Sequence, residues 1–514
     1  MKINLLEYFE QTVSQYPKRI AILENERKIS FSELRNKSYN LANKIINLIN
    51  CINRPVAVFL PKSIECIIAD IAITYSGNCY MNLDLKTPST RLKNIIERIN
   101  PVLFITDRAN YGIINEVNSE SAVIVWENLS NFSEVHEKLI FQQISQVIDT
   151  DPLCIINTSG STGTPKGAVL NHKSYIDYAQ WAINTFKFTG DEVLGVLSPI
   201  VFDHYNYEIC LMMTEGCTLV LLDNRLAAFP VKILESLIKY DVTYIFWVPS
   251  IMVNIANMDL LSKIPLTKIA MVWFAGEVFP TKQFNYWRKW LPQATFVNLY
   301  GPVETTVDCT YYIIDREIKD EEPIPIGFPC RNTDILILND LDKRVNKNEL
   351  GELCVRGTSL AMGYYNDFEK TNKSFVQNPL NTNYPELIYR TGDLVYINEL
   401  GEIIFKGRKD TQIKHLGYRI ELGEIEHILV NNLKIIDNGC VIYNHEKKEI
   451  VLFYESKNNI SAGDIRKSLL EILPKYMLPS QFYKRDELPR NVNGKIDRLL
   501  LTELLYDRKK SNFF

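Results

Sequence analysis

At 514 residues the chain exceeds what one ordinary hydrophobic core serves, so more than one domain is expected. Its 46% apolar and 23% charged residues are those of a soluble globular protein, and a net charge of −4 offers no broad field for nucleic acid. No run of about 18 apolar residues occurs, so no membrane-spanning helix is expected. The ten cysteines include no C-x-x-C and the six histidines no H-E-x-x-H, which argues against a zinc site.

In chain order, "MKINLLEYFEQTVSQYP" carries acids inside its apolar stretch and reads as an amphipathic helix, not a signal peptide. "RPVAVFL" (54–60) is strand-like, and "SIECIIADIAITYSG" after it is helix-like, with Glu65 and Asp70 interrupting its apolar run. Further buried-strand candidates are 122–127, 153–159, 193–199, 218–223, 242–249, 268–277 and 294–302, several separated by helical stretches such as 230–240 and 280–290. This alternation predicts α/β layers with mainly parallel sheets. From about 323 to 406 short strands and turn signals predict a β-rich subdomain, with "NELG" (398–401) as a hairpin turn. The charged, glycine-bearing "GRKD" (407–410) suits a linker. The expected division is therefore a large domain over 1–408 and a small α+β domain over 409–514. Apolar-flanked cysteines such as Cys154 and Cys210 suit buried thiols in a reducing cytoplasm.

The segment "NTSGSTGTPKGAVL" (157–170) packs glycines, hydroxyls, a proline and a lysine between apolar strands. Such a composition predicts neither helix nor strand there. Gly160, Gly163 and Gly167 free the backbone to turn and to present amides. Thr158, Ser159, Ser161, Thr162 and Thr164 add hydroxyl donors, and Lys166 adds a positive charge. Concave amides with a lysine bind phosphate. The segment is not a Walker A loop, because Lys166 lies between Pro165 and Gly167.

S-G-S-T-G-x-P-K-G resembles the phosphate-loop signature of the adenylate-forming superfamily, which includes acyl- and aryl-CoA ligases, peptide-synthetase adenylation domains and firefly luciferases. The resemblance continues through "FSELRNKSYNLANKI" (31–45), "LDLKTPSTRL" (83–92), "FDHYNYEI" (202–209) and "NLYGPVETT" (298–306). It goes on through "GELCVRGTSLAMGYYN" (351–366), "YRTGDL" (389–394), "GRKDTQIKHLGYRIELGEIE" (407–426) and "LPRNVNGKIDR" (488–498), all in the family's order.

This resemblance implies activation of a carboxylate by ATP with magnesium. Attack on the α-phosphate requires positioning, cations and donors but no side-chain nucleophile. Residues 159–167 would wrap the β- and γ-phosphates. Glu304, assisted by Thr162, resembles the magnesium ligand. Asp393 resembles the ribose acceptor, Arg408 a second ribose contact, and Tyr300 the partner of adenine. Lys495 resembles the lysine that bridges substrate carboxylate and phosphate. Asp410 falls at the family's hinge, about which the small domain rotates to let a phosphopantetheine thiol attack the adenylate.

The resemblance also points to the acid. Asp203 stands where amino-acid-activating members pair a carboxylate with the substrate ammonium, and a buried carboxylate calls for a cation. By register the pocket would be lined by His204, Tyr207, Phe246, Trp273, Ala275, Leu299, Val307 and Asp308. Two readings stand for Asp308. It meets a cationic side chain or a displaced amino group, or it pairs with His204 and leaves a small apolar or cyclic pocket.

Departures from the family pattern are Asn82 where proline is usual, Tyr205 and Asn206 beside Asp203, and Val303 in place of threonine. His415 and Leu416 depart where an apolar residue and arginine are usual. The chain starts just before the first motif, ends soon after the last, and contains no carrier-protein serine motif. The expectation is a cytoplasmic stand-alone ligase that activates an amino acid and loads a separate carrier protein. A CoA ligase for a non-amino acid is the alternative. Neither H-x-G-H nor K-M-S-K-S occurs, which argues against a tRNA synthetase.

Overall fold

The computed structural model describes residues 2–118, 120–129, 136–160, 165–491 and 496–506. The chain divides into two compact units, one of Met1–Leu85, Ile99–Ile156 and Gly167–Lys409, the other of Lys86–Arg98, Asn157–Lys166 and Asp410–Phe514.

Two large sheets build the first unit. The nine-stranded sheet has six consecutive parallel strands at its heart, Thr295–Tyr300, Met271–Phe274, Tyr244–Trp247, Val193–Val196, Thr218–Leu221 and Ile20–Glu24. Their sequences are near-continuous apolar runs, as strands covered on both faces require. Antiparallel strands close both edges, Thr310–Ile313 and Phe328–Pro329 at one and Arg27–Ser30 at the other. The seven-stranded sheet runs Gly363–Tyr364, Lys166–Asn171, Pro152–Thr158, Cys79–Asn82, Pro55–Phe59, Leu103–Thr106 and Ala122–Val125. A further antiparallel sheet of five strands holds Thr333–Leu338, Gly351–Gly357, Leu387–Ile397, Phe375–Gln377 and Ile403–Arg408. These are the layered α/β and β-rich parts that the sequence predicts.

Helices start where their caps dictate. Ser30 and Glu33 form a reciprocal capping box before Phe31–Ile49, which ends at left-handed Asn50. Ser63 caps Ile64–Tyr75 by accepting from the Cys66 amide. That helix is apolar on nearly every face because it is buried all round, contributing to one core with helices Phe31–Ile49, His172–Phe186 and Asp203–Glu215. All ten cysteines are free thiols, and nine are buried.

The expectation that 157–170 forms neither helix nor strand is corrected. Pro152–Thr158 and Lys166–Asn171 are both strands, so both ends of the segment are extended and a strand precedes the helix that begins at His172. Its apolar end decides this: Ala168 pairs with Tyr364 and Val169 with Gly363 in an antiparallel ladder. Asn171 then caps helix His172–Phe186 by accepting from the Ser174 amide.

The second unit has a three-stranded sheet of Asn438–Asn444, Glu449–Glu455 and Gln481–Arg485. Val441, Leu452, Ile465 and Leu469 lie in its core. The strands Gln412–His415 and Tyr418–Glu421 form a hairpin whose turn, Leu416–Gly417, has positive φ at both residues (54° and 79°).

His172, first residue of its helix, is buried and accepts from the Leu5 amide at 3.4 Å through Nδ1. Burial lowers its pKa to about 4, outweighing the attraction of Asp151. The unfolded chain therefore binds this proton first, and the stability it carries is present above the ordinary histidine value and lost as pH falls towards 4. Between about pH 7 and about pH 5 the wild type is expected to lose about 2 kcal/mol from this group. Urea midpoints at the two pH values check it, and His172→Gln removes that part of the slope.

Candidate active site

Three strands place the nucleotide candidates together in the first unit. Strand Leu387–Ile397 carries Asp393, which lies directly opposite Arg408 at the end of Ile403–Arg408. Tyr300 ends strand Thr295–Tyr300, and its hydroxyl donates to Asp393 Oδ2. Arg408 Nη1 donates to Asp393 Oδ1, and Nη2 to the Thr391 carbonyl at 3.0 Å. Thr391 Oγ1 accepts from the Asp393 amide at 3.0 Å. Burial, and then the Asp393 charge, raise the Tyr300 phenol well above its ordinary value, so it remains a donor.

The Tyr-Gly-Pro turn that follows Tyr300 delivers Glu304. At Gly301 an added Cβ would stand 2.5 Å from both Asp308 Cα and the Val307 oxygen, so only glycine lets the returning backbone pass. Glu304 sits fully buried in the short helical turn Val303–Thr305. The Tyr364 hydroxyl donates to its Oε1 at 2.7 Å, and the Ala361 amide to its carbonyl at 2.9 Å. Thr306 and Val307 have φ of 52° and 65°, a costly backbone for β-branched residues. Thr306 Oγ1 donates to the Ser359 carbonyl at 2.8 Å and holds it.

One buried carboxylate suits a magnesium ion that arrives on nucleotide phosphates, since Mg²⁺ keeps much of its shell as water and phosphate oxygen. Among the described residues no cluster of three or more His, Cys, Asp or Glu offers a metal cage built from protein alone.

Asp203 is the first residue of helix Asp203–Glu215 and is 8% exposed. Its Oδ1 accepts from the His204 amide at 3.0 Å, with His204 Nδ1 at 3.4 Å. The His204 ring meets Phe246 edge-on at 4.4 Å. Tyr207 stacks on Trp273 at 5.7 Å and meets Tyr178 edge-on at 5.0 Å. The Tyr178 hydroxyl donates to Asp308 Oδ2 at 2.8 Å. Ring contacts thus run without a break from the Asp203 end to Asp308, and Ala275, Leu299 and Val307 are buried with them in the same core. Asp308 is thus bonded by Tyr178, a residue outside the two readings given for it, and His204 lies beside Asp203.

In the second unit, Thr158 Oγ1 donates to the Lys166 carbonyl at 3.5 Å, and Ser159 Oγ to the Arg419 carbonyl at 2.8 Å. Lys166 is buried, as is Gly160. Asp410 Oδ1 accepts from the Gln412 amide at 3.1 Å. Gly167 belongs to the first unit, where its carbonyl accepts from the Tyr365 amide at 2.8 Å. Ser161, Thr162, Gly163, Thr164 and Lys495 lie outside the described residues.

Sequence reasoning missed Tyr178, Tyr364 and Thr391 as partners of the three acids. Tyr364 and Thr391 stand inside motifs quoted above, which was a usable signal. Tyr178 is 130 positions from Asp308 and carried none.

The family pattern described as AMP-binding enzyme matches residues 9–365. The chain belongs to that family, the adenylate-forming enzymes. Over 97% of its length it is 32% identical to Gramicidin S synthase 2 of Brevibacillus brevis, but spans only 11% of that protein. It is 29% identical to Zwittermicin A synthase ZmaJ of Bacillus cereus, over 99% of this chain and 96% of that one. Among solved structures, the Vibrio cholerae adenylation domain AlmE in complex with glycyl-adenosine-5'-phosphate shares the fold with a TM-score of 0.85, at 19% identity over 98% of both chains.

Tyr364→Phe removes the hydroxyl donor from buried Glu304 and leaves the ring. It is expected to lower unfolding stability by about 2 kcal/mol, read as a lower urea midpoint with unchanged slope.

Proposed function

We propose that this enzyme activates an amino acid as its aminoacyl-adenylate, releasing pyrophosphate, and then transfers the aminoacyl group to the phosphopantetheine thiol of a carrier protein. The observation that carries the reading is the buried Asp203 carboxylate at the head of its helix, joined through aromatic rings to the second buried carboxylate, Asp308. Two buried acids joined by one aromatic core favour a substrate that brings positive charge. Asp203 would take the α-ammonium. Asp308, held by Tyr178, favours a basic or β-amino acid over a small apolar one.

In the first step a substrate carboxylate oxygen bonds to the α-phosphorus, and the bond from that phosphorus to the bridging oxygen breaks. Lys495 would hold the attacking carboxylate and a phosphate oxygen together. Tyr300, Asp393 and Arg408 would fix the nucleoside, and the 158–167 segment, with Lys166, would cradle the departing pyrophosphate. Glu304, with Thr162, would hold magnesium, whose charge neutralises the phosphates. In the second step the thiol sulfur bonds to the acyl carbon and AMP leaves with the oxygen. The 409–514 domain would serve as a lid that turns about Asp410 between the steps, withdrawing Lys495.

Amino-acid-dependent ATP–pyrophosphate exchange across basic, β- and cyclic amino acids is expected to give a signal that Asp203→Ala abolishes and a magnesium chelator removes. Exchange with fatty or aryl acids alone, unaffected by Asp203→Ala, would establish the CoA-ligase alternative instead.

Lys495→Ala is expected to slow adenylation at least 100-fold while the protein still consumes preformed aminoacyl-adenylate. Equal loss in both half-reactions contradicts the turning lid.

A further inference from the structure

Three departures from the family pattern, Asn82, Tyr205 and Asn206, lie far apart in sequence and come together in the buried layer beneath the Asp203 helix. Asn82, at the end of strand Cys79–Asn82, donates through Nδ2 to Asp70 Oδ2 at 3.1 Å. The Tyr205 hydroxyl lies 3.4 Å from the same oxygen and 3.6 Å from Cys66 Sγ. Cys66 Sγ completes a ring by donating to Asn82 Oδ1 at 3.7 Å. Cys66 and Asp70 are one turn apart on helix Ile64–Tyr75, so they present one face to the ring. Every member is buried. Burial pushes the Asp70 carboxyl up to about 8, against the opposing pull of Asn82 and Tyr205, so at neutral pH it stands as a neutral acid.

The next residue, Asn206, makes a second anchor. Its Oδ1 accepts from the Tyr80 hydroxyl at 3.1 Å, and its Nδ2 donates to the Tyr175 hydroxyl at 3.4 Å. Tyr205 and Asn206 follow Asp203 within the first turn of one helix. That turn is thereby tied to helix Ile64–Tyr75, strand Cys79–Asn82 and helix His172–Phe186. Its position is set by directional bonds as well as by apolar packing, which tolerates sliding more readily.

We propose that Asp70, Asn82, Tyr205 and Asn206 form a positioning network that fixes the first turn of helix Asp203–Glu215, and so fixes where the Asp203 carboxylate meets the substrate. None of the four touches substrate. The network acts through the helix, as outer partners orient the groups that bind. The inference rests on the reading that Asp203 recognises the activated acid.

The test compares KM for the acid with KM for ATP in pyrophosphate exchange by the 514-residue protein. Asp70→Leu is expected to raise KM for the amino acid at least 10-fold and leave KM for ATP within twofold, while Asp70→Asn keeps both within threefold. Tyr205→Phe, which removes one hydroxyl, guards against failure to fold and is expected to raise KM for the amino acid several-fold. Asn82→Ala combined with Tyr205→Phe is expected to raise it by less than the product of the single effects, because both serve the same oxygen. A network that only supports the core lowers the thermal midpoint and the active fraction and leaves both KM values unmoved, and that result overturns the proposal. Should the wild type exchange only with a non-amino acid, the amino-acid reading fails separately. The same ratio measured on that acid then decides the network, a selective rise supporting it and unmoved KM values overturning it.

Discussion

Burying a carboxylate is among the costliest acts in a protein interior, and this chain commits to it repeatedly within its first unit. Asp393, Glu304 and Asp308 are each bonded by a tyrosine hydroxyl, those of Tyr300, Tyr364 and Tyr178. A phenol is a fitting partner. It donates a hydrogen bond without adding a charge, so the acid keeps its negative potential while its lone pairs are partly met. Desolvation and the neighbouring acid raise the phenols of Tyr300 and Tyr178 well above their ordinary value, so neither competes for the charge. The sheets exist in this sense to hold tyrosines where acids need them. Tyr300 ends a parallel strand, Tyr364 a two-residue edge strand, and Tyr178 projects from the helix that follows strand Lys166–Asn171.

The layered α/β architecture was legible because strands covered on both faces must be apolar throughout, and helices between them must start at caps such as Ser30 and Ser63. Asp203, Glu304 and Asp393 could be named as candidates because each stands in a short motif whose neighbours are local. The Tyr178 partner of Asp308 could not, since a hydrogen bond across 130 positions leaves no local trace, whereas Tyr364, 60 positions from Glu304, stands inside a motif of its own. The misreading of 157–170 has a different origin. Turn chemistry at its glycines was weighed over the apolar residues at its end, and the pairing of Ala168 with Tyr364 and Val169 with Gly363, far along the chain, overrode the local signal.

Single departures from a family pattern carry little meaning when met one by one along a chain. Asn82, Tyr205 and Asn206 each look like drift, yet two of them bond one buried acid and the third anchors the same helical turn. Directional bonds in a low-dielectric interior act as a unit, so replacing one such residue alone strands its partner's polar atom. Their common address lies in the packing of two helices and a strand, which sequence order conceals.

The crossing at Gly301 has a bearing on how the specificity of this enzyme is reshaped. The backbone leaves Tyr300, carries Glu304 through a buried turn, and returns to press Val307 and Asp308 against that glycine, where the Cys309 amide closes the loop on the Tyr300 carbonyl at 2.8 Å. Tyr300, Glu304 and Asp308, the groups proposed for adenine, magnesium and the activated acid, therefore hang on one strained ribbon. On that reading redesign of the acid site is not modular: varying position 308 alone would reach Tyr300 and Glu304 through the ribbon, whereas pairing it with position 178 and leaving 301–306 intact would keep the change on the Tyr178 side.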